Sequence, residues 1–352
     1  MKYIGKLLGT ILLGVNVVTS LLLMLSGYSS YIHPVSHPIW ACMGLTFGVF
    51  LLITLLFFLF WLVVYPRYTL CSILAIVVCW DPIQIFCPIH FSTGQAGEKS
   101  IKVLSYNTLA MGSLSSDKYE VVNYLKESDA DIICLQEFAF THGLTKKKVD
   151  DLLNKYRYKH YNAELNLACY SRFPILSSEK VNYKTLFNGS MAYRMKIYGD
   201  TVLVINNHLE SNKLTGDDKA MYKNMVVHPN KQIVKEGSKL LLTKIAEAGA
   251  MRAGQGEAIE EFVKKYKGLG VIVCGDFNDS PMSYVHRLLQ EELTDAFYTA
   301  GNGLGFSYHL NGIYFRIDHI FVSPHYKVTL CKVDSSIKAS DHYPIYSQRT
   351  LH

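Results

Sequence analysis

The chain has 352 residues and 64 charged side chains, 35 basic and 29 acidic. Residues 1–97 carry four of them, Lys2, Lys6, Arg67 and Asp81, which leaves 60 for the 255 residues from Glu98 onward. That imbalance excludes a single soluble globule, a polytopic transporter and a disordered chain. It predicts a membrane-embedded N-terminal part joined to a soluble domain large enough for one sizeable core.

Between Lys6 and Arg67 there is no Asp, Glu, Lys or Arg. Two apolar stretches, about residues 7–25 and 39–65, match the roughly 20 residues a helix needs to cross a hydrocarbon core. Ser26–Pro38 between them holds two Pro and a Gly and reads as a turn between antiparallel helices. A third stretch, residues 68–90, is apolar but interrupted by Asp81-Pro82. An Asp at a helix centre costs about 2.5–3.5 kcal/mol, which its apolar neighbours offset, so three crossings are expected. The alternative for the third stretch is a short helix in the interface. The first stretch lacks a small-x-small cleavage site and is expected to be retained.

The few basic residues near the spans put the N-terminus and the Arg67 turn in the cytoplasm. Three crossings then place the soluble domain on the extracytoplasmic side of the cell inner membrane; two would leave it inside. The predicted organisation is a transmembrane region at 1–91, a polar linker at 92–100 and a soluble domain at 101–352. Cys134, Cys169, Cys274 and Cys331 sit in apolar runs without CxxC spacing and read as buried small hydrophobes.

In the soluble domain, strand-like runs fall at Ile101–Tyr106, Ile132–Leu135, Leu167–Tyr170, Ala192–Ile197, Val202–Asn206, Val271–Cys274, Phe315–Val322 and Tyr343–Ser347. Many are continuously apolar, as in strands buried on both faces. Helical periodicity falls at Tyr119–Lys126, Val149–Tyr156, Gln232–Ala248, Glu257–Tyr266 and Ser283–Glu291. Gly199-Asp200 reads as a hairpin turn. The mixture predicts an α/β layered architecture with mixed sheets.

Polar residues interrupt these runs at their ends: Asn107, Gln136-Glu137, Asn207-His208, Asp276 and Asn278, Asp341-His342, and Asp318 inside Arg316–Val322. Buried carboxylates need partners, and a single strand-end Asn or Asp is ordinarily a turn former. Six such places, with no charge-paired helical spacing, point to convergence on one site. The oxygen ligands suit a hard cation such as Mg²⁺ or Mn²⁺, and the two histidines suit acid–base work. Neither a GxxxxGK[ST] loop nor a GxSxG elbow is present, which argues against a P-loop hydrolase and an α/β-hydrolase.

The motifs SYN at 105–107, LQE at 135–137, YSRFPI at 170–175, NNHL at 206–209, GDFND at 275–279, RIDHIF at 316–321 and SDHYPI at 340–345 resemble the endonuclease/exonuclease/phosphatase (deoxyribonuclease I-like) superfamily, in its order. The match suggests a membrane-anchored, bacterial-type member. The resemblance covers essentially residues 100–350 and implies a four-layer α/β/β/α sandwich of two mixed sheets behind an N-terminal transmembrane helical region. It implies Glu137 as the main divalent-metal ligand, with Asn107 and Asp341 beside it. Asp276 would orient or deprotonate the attacking water, and Asn278 would contact the phosphate. His342 would face the scissile phosphate, held by Asp318, and His208 would protonate the leaving oxygen.

His208 stands where abasic-site endonucleases usually have Tyr, which leans away from DNA repair. His319 reads as a structural substitution, and Arg172 as fold-stabilising. The expected activity is metal-dependent phosphoesterase action, with Mg²⁺ or alternatively Mn²⁺, on a phosphodiester or phosphomonoester that extends to lipid-like substrates. A membrane-bound nuclease is the second reading. Nucleic acid is not favoured, because the 32 basic and 28 acidic residues after position 97 leave only +4. The bilayer is the other expected partner, and no obligate protein partner is implied.

Overall fold

The computed structural model describes residues 2–91, 100–141, 143–212, 215–228, 230–310 and 312–350. The expected linker at 92–100 therefore lies outside the described residues except for Ser100. Among the described residues there are fourteen strands: β1 (Ser100–Asn107), β2 (Ile132–Gln136), β3 (Tyr158–Asn162), β4 (Leu167–Ser171), β5 (Ile175–Val181), β6 (Gly189–Ile197) and β7 (Asp200–His208). Then come β8 (Gly270–Asp276), β9 (Thr294–Asp295), β10 (Tyr308–Leu310), β11 (Ile313–Phe315), β12 (Asp318–Val322), β13 (Lys327–Val333) and β14 (Ile345–Thr350).

They form two mixed six-stranded sheets, ordered β13-β14-β1-β2-β4-β3 and β5-β6-β7-β8-β12-β9, with β10-β11 as a separate hairpin. The inner faces meet in a core that joins Val103, Ile132 and Cys134 of one sheet to Met191, Val204, Ile272 and Cys274 of the other. The outer face of the first sheet packs Leu104, Ile133 and Leu135 against Val121, Val122, Leu125 and Val149 of the helices Glu120–Glu127 and Lys146–Leu152. Leu203, Ile205, Val271 and Val273 on the other outer face meet Ile259, Val263, Val285 and Leu289 of Lys231–Lys265 and Tyr284–Gln290. The result is a helix–sheet–sheet–helix sandwich. All eight cysteines are free thiols, the four of this domain buried.

Three local expectations change. Ile197 pairs with Asp200, so the turn residues are Tyr198 (φ 49°) and Gly199 (φ 100°) rather than Gly199-Asp200. Two positive φ values are the hairpin turn whose twist suits the flanking strands. The run Phe315–Val322 is not one strand: Arg316 and Ile317 separate β11 from β12. The helical stretches at 232–248 and 257–266 are one 35-residue helix, Lys231–Lys265. Its Gly256 permits close packing, since a Cβ there would lie 2.8 Å from Val285.

In the N-terminal part, helix Lys2–Gly27 packs against Phe47–Val64 and Thr69–Val78. Lys6–Gly27 and Pro38–Val64 are each long and apolar enough to cross a bilayer. Pro66–Val78 and Trp80–Phe86 qualify only as a pair bent by 64° at Cys79, which gives two crossings, or three if the pair is one span. Buried Asn16 ties the three helices together: its Nδ2 donates to Ser72 Oγ (3.2 Å), and its Oδ1 accepts from Trp61 Nε1 (3.2 Å). Such interhelical polar contacts are the usual glue of bundles that lack a hydrophobic drive between helices.

The bundle also seats on the sandwich. His33 Nε2 lies 2.9 Å from Glu257 Oε1, and Arg287 Nε donates to the Ser30 carbonyl at 3.1 Å. Arg316 donates to the Ile85 carbonyl, and the Gly303 N–H donates to the Pro88 carbonyl at 2.9 Å.

Candidate active site

Strand register assembles the site. The parallel pairs β1/β2 and β7/β8 bring Asn107 level with Gln136, and His208 level with Asp276. The antiparallel pair β8/β12 sets Asp318 on the other side of Asp276, so His208, Asp276 and Asp318 form a row across one sheet. Between the sheets, Gln136 Nε2 donates to Asn206 Oδ1 (2.6 Å), and Asn206 Nδ2 donates to the Leu135 carbonyl (3.1 Å). These buried hydrogen bonds between the sheets pin them directly beneath the site.

The chain turns sharply just beyond the strand ends. Glu137 (φ 48°) and Asn278 (φ 51°) follow β2 and β8 in the left-handed region, a strain of order 1–3 kcal/mol that clusters at functional sites. At Gly275 (φ 142°) a Cβ would sit 2.0 Å from the Asn207 carbonyl oxygen, so only glycine lets β8 lie this close to β7 before Asp276.

Asp276 Oδ2 is the geometric centre. Asn107 Nδ2 donates to it at 3.0 Å and donates to Glu137 Oε1 at the same distance. His208 Nε2 and His342 Nε2 each lie 3.6 Å from that oxygen, and His208 Nε2 is 3.8 Å from Glu137 Oε1. The other Asp276 oxygen accepts from the Asn278 N–H at 2.8 Å, and Asn278 Nδ2 donates to the Leu209 carbonyl at 3.0 Å.

His342 Nδ1 is 2.7 Å from Asp318 Oδ2, which leaves Nε2 facing the cleft. Burial disfavours the charged imidazole, yet the Asp318 and Asp276 carboxylates outweigh it and lift His342 to about 10. Asp318 is itself anchored, its N–H donating to Ser307 Oγ at 3.0 Å.

Above this row is a cleft of about 280 Å³ lined by Glu137, His208, Asp276, Asn278, Asp341 and His342. Ligand atoms of Asp276, Asp318 and His342 also lie within 4.8 Å of one another, a set of donors of the kind that holds a metal. In that set Asp318 Oδ2 and His342 Nδ1 already spend their facing lone pair and proton on each other, so it works as a hydrogen-bond chain. Glu137 and Asp341 remain facing the cleft.

All eight sequence-selected residues thus join one connected site: six line the cleft, Asn107 bridges Glu137 and Asp276, and Asp318 holds His342. Arg172 lies elsewhere, its Nη1 donating to Asp131 at 2.9 Å and its Nη2 to Asp129. His319 Nε2 meets the Asp279 carbonyl at 3.0 Å inside the fold.

Sequence reasoning missed Arg252. Buried on the long helix, it donates through Nε to Asp279 Oδ2 (3.0 Å) and through Nη1 to the Glu210 carbonyl and Asn212 Oδ1 (2.9 Å each), and it lines the cleft. A lone Arg amid a charged amphipathic helix carries no motif. It missed the apolar wall as well, made by Leu45, Ile245, Ile313, Phe315 and Ile317.

Two mixed sheets between helix layers, with acid, amide and imidazole groups at one edge, define the deoxyribonuclease I-like class. The family model described as Endonuclease/Exonuclease/phosphatase family matches residues 104–342, and the chain belongs to this family. By that membership it is a hydrolase of phosphate esters. A second model, for a domain of unknown function, matches residues 9–86. No curated protein matches the chain.

Among solved structures, an endonuclease/exonuclease/phosphatase family protein from Bacteroides thetaiotaomicron is 19% identical over 72% of this chain and 96% of its own, with a TM-score of 0.51. One from Beutenbergia cavernae is 15% identical over 72% of each chain, with a TM-score of 0.52. The human Nocturnin catalytic domain, solved with a bound sulfate anion, is 16% identical over 73% of this chain and 97% of its own, with a TM-score of 0.50. These likenesses bear on the fold.

Proposed function

We propose that this protein is a membrane-anchored, divalent-metal-dependent phosphoesterase that hydrolyses a phosphodiester or phosphomonoester by attack of water. The observation that carries the reading is the arrangement about Asp276 Oδ2: one amide at 3.0 Å and two imidazoles at 3.6 Å, in a cleft that also holds Glu137 and Asp341.

The donor set fits a hard dication. Four carboxylates line the cleft, and the one Arg or Lys among its described lining residues, Arg252, is committed to one of them, Asp279. Oxygen donors in excess over cations select Mg²⁺ or Mn²⁺ rather than a soft metal. Glu137, Asn107 and Asp341 would hold the ion, which supplies Lewis-acid polarisation of the phosphoryl oxygen.

The chain's own residues do the rest. Asp276 aims the attacking water and takes its proton. Asn278 keeps one amide hydrogen for the phosphate while the other is fixed on Leu209. His342, oriented by Asp318, presents Nε2 to the phosphoryl oxygens, where negative charge builds in the transition state. His208, on the opposite flank of Asp276, gives a proton to the leaving oxygen.

The anchor reading rests on the helix arrangement. A Cβ on Gly9 would lie 3.7 Å from the Tyr65 ring, whereas Tyr28 Oη meets the Val78 carbonyl at 2.6 Å. Lys6 and Arg67 therefore share one end of the bundle, and the segments that touch the sandwich share the other.

Full-length protein in detergent, assayed with bis(p-nitrophenyl) phosphate, is expected to hydrolyse it with Mg²⁺ or Mn²⁺ and to lose activity in EDTA. Expected too is no nicking of supercoiled plasmid under the same conditions. Metal-independent turnover would overturn the reading, and efficient plasmid nicking would move it to a nuclease.

A further inference from the structure

We infer that the membrane segment is itself a wall of the catalytic cleft, and that the substrate is an amphiphile: a phosphate ester whose hydrocarbon chain stays against the bilayer while its phosphate sits over Asp276. This deepens the phosphoesterase reading above and rests on it.

Leu45 carries the inference. It belongs to the 3₁₀ turn Cys42–Thr46, which leads directly into the apolar helix Phe47–Val64, and it lines the same cleft as Glu137, His208, Asp276 and His342. The turn is seated too closely to be an incidental neighbour. A Cβ on the adjacent Gly44 would lie 2.5 Å from the Met282 carbonyl oxygen and 3.0 Å from Ser29 Oγ. Met282 follows Asp279 and Ser280, which line the cleft, and its side chain packs with Leu23, Phe47 and Ala75 of the bundle.

The depth of this turn follows from length. Pro38–Val64 is 27 residues, about 40 Å of helix, against a hydrocarbon core of about 30 Å. The excess of about 10 Å matches residues 38–44, of which Pro38, Ala41, Cys42 and Gly44 face Met282 and Tyr284 of the sandwich across a small cavity. Leu45 therefore stands where the hydrocarbon begins.

The remaining wall is apolar and reaches the same boundary. Ile245 comes from the long helix, and Ile313 and Phe315 come from the β10–β11 hairpin. Phe315 stays 39% exposed and its neighbour Tyr314 52% exposed, so the hairpin continues the apolar surface beyond the rim. The next residue, Arg316, donates to the carbonyl of Ile85 in the bent helix Trp80–Phe86, which holds the hairpin against the membrane segment. A polar floor with an apolar wall that runs to a bilayer edge recognises a phosphate joined to an alkyl chain. A nucleic acid would instead need free cations along the cleft, and Arg252 is already paired.

The test uses two diesters, p-nitrophenyl methyl phosphate and p-nitrophenyl dodecyl phosphate, with full-length protein in non-ionic detergent micelles and Mg²⁺. In each, the water oxygen bonds to phosphorus, the bond to p-nitrophenolate breaks, and the water proton is released. The products are p-nitrophenolate and the alkyl phosphate.

Expected is a kcat/KM at least about tenfold higher for the dodecyl ester, well within what a few buried methylenes supply. Leu45→Gln, and separately Ile245→Gln, should cut the dodecyl-to-methyl ratio by at least about fivefold. Partition into micelles is the same for wild type and variants, so the change in ratio reports the cleft wall. Equal kcat/KM for the two esters, or a ratio unchanged in both variants, overturns the amphiphile inference alone. Hydrolysis of neither ester with any divalent metal overturns the phosphoesterase reading beneath it.

Discussion

At the scale of single residues, the polar groups divide by what surrounds them. His342 is flanked by two carboxylates and is pushed toward its charged form, whereas His319 is driven the other way, well below its ordinary value of 6.5, by burial and then by neighbouring His286. The sign of the consequence is fixed. The unfolded chain takes up a proton at His319 below about pH 6.5 that the folded chain refuses, so the contribution of His319 to stability falls as pH drops through that region and is constant above it. His319→Phe should flatten the slope of unfolding free energy between pH 6.5 and 5 by up to about 1.4 kcal/mol per pH unit. Denaturant titrations at several pH values check this, and an unchanged slope would contradict it.

At the scale of elements, legibility followed burial. β2 and β4 are buried at every residue and announce themselves as apolar runs, and their polar ends are visible because they break such runs. The edge strands β3 and β5 are mostly exposed or half-buried and carry no such contrast, so neither they nor β13 were legible. Between the two periodic stretches lie Gly249, Gly254 and Gly256, a gap across which the helix nevertheless runs unbroken. The catalytic candidates were legible because they break or flank apolar runs. Arg252 and Leu45 were not, because a helix face and a membrane run offer nothing against which one more Arg or Leu stands out.

The helices carry a further expectation. With Lys6 and Arg67 at the end of the bundle remote from the sandwich, three crossings would put the segment at 28–37 and the C-terminus on one side of the membrane. Accessibility of tags inserted near residue 35 and at residue 352 should be the same in intact cells, and opposite to that of a tag at the N-terminus. Discordant accessibility of the first two would leave two crossings instead of three.

At the scale of the whole molecule, two halves with opposite solvent preferences meet at the functional cleft. The sandwich supplies a polar floor from β1, β2, β7, β8 and β12, and the bundle supplies Leu45 and fixes the loop at Met282. The proposed chemistry of that floor depends on a hard dication that oxygen donors, chiefly Glu137, would hold. Binding of Mn²⁺ to full-length protein, followed by electron paramagnetic resonance, reads this without any substrate. Expected is saturable binding to wild type, displaced by Mg²⁺, with affinity lowered at least about tenfold in Glu137→Gln and unaltered in the remote Arg172→Lys. Absence of saturable binding to wild type, or equal affinity in Glu137→Gln, would contradict it.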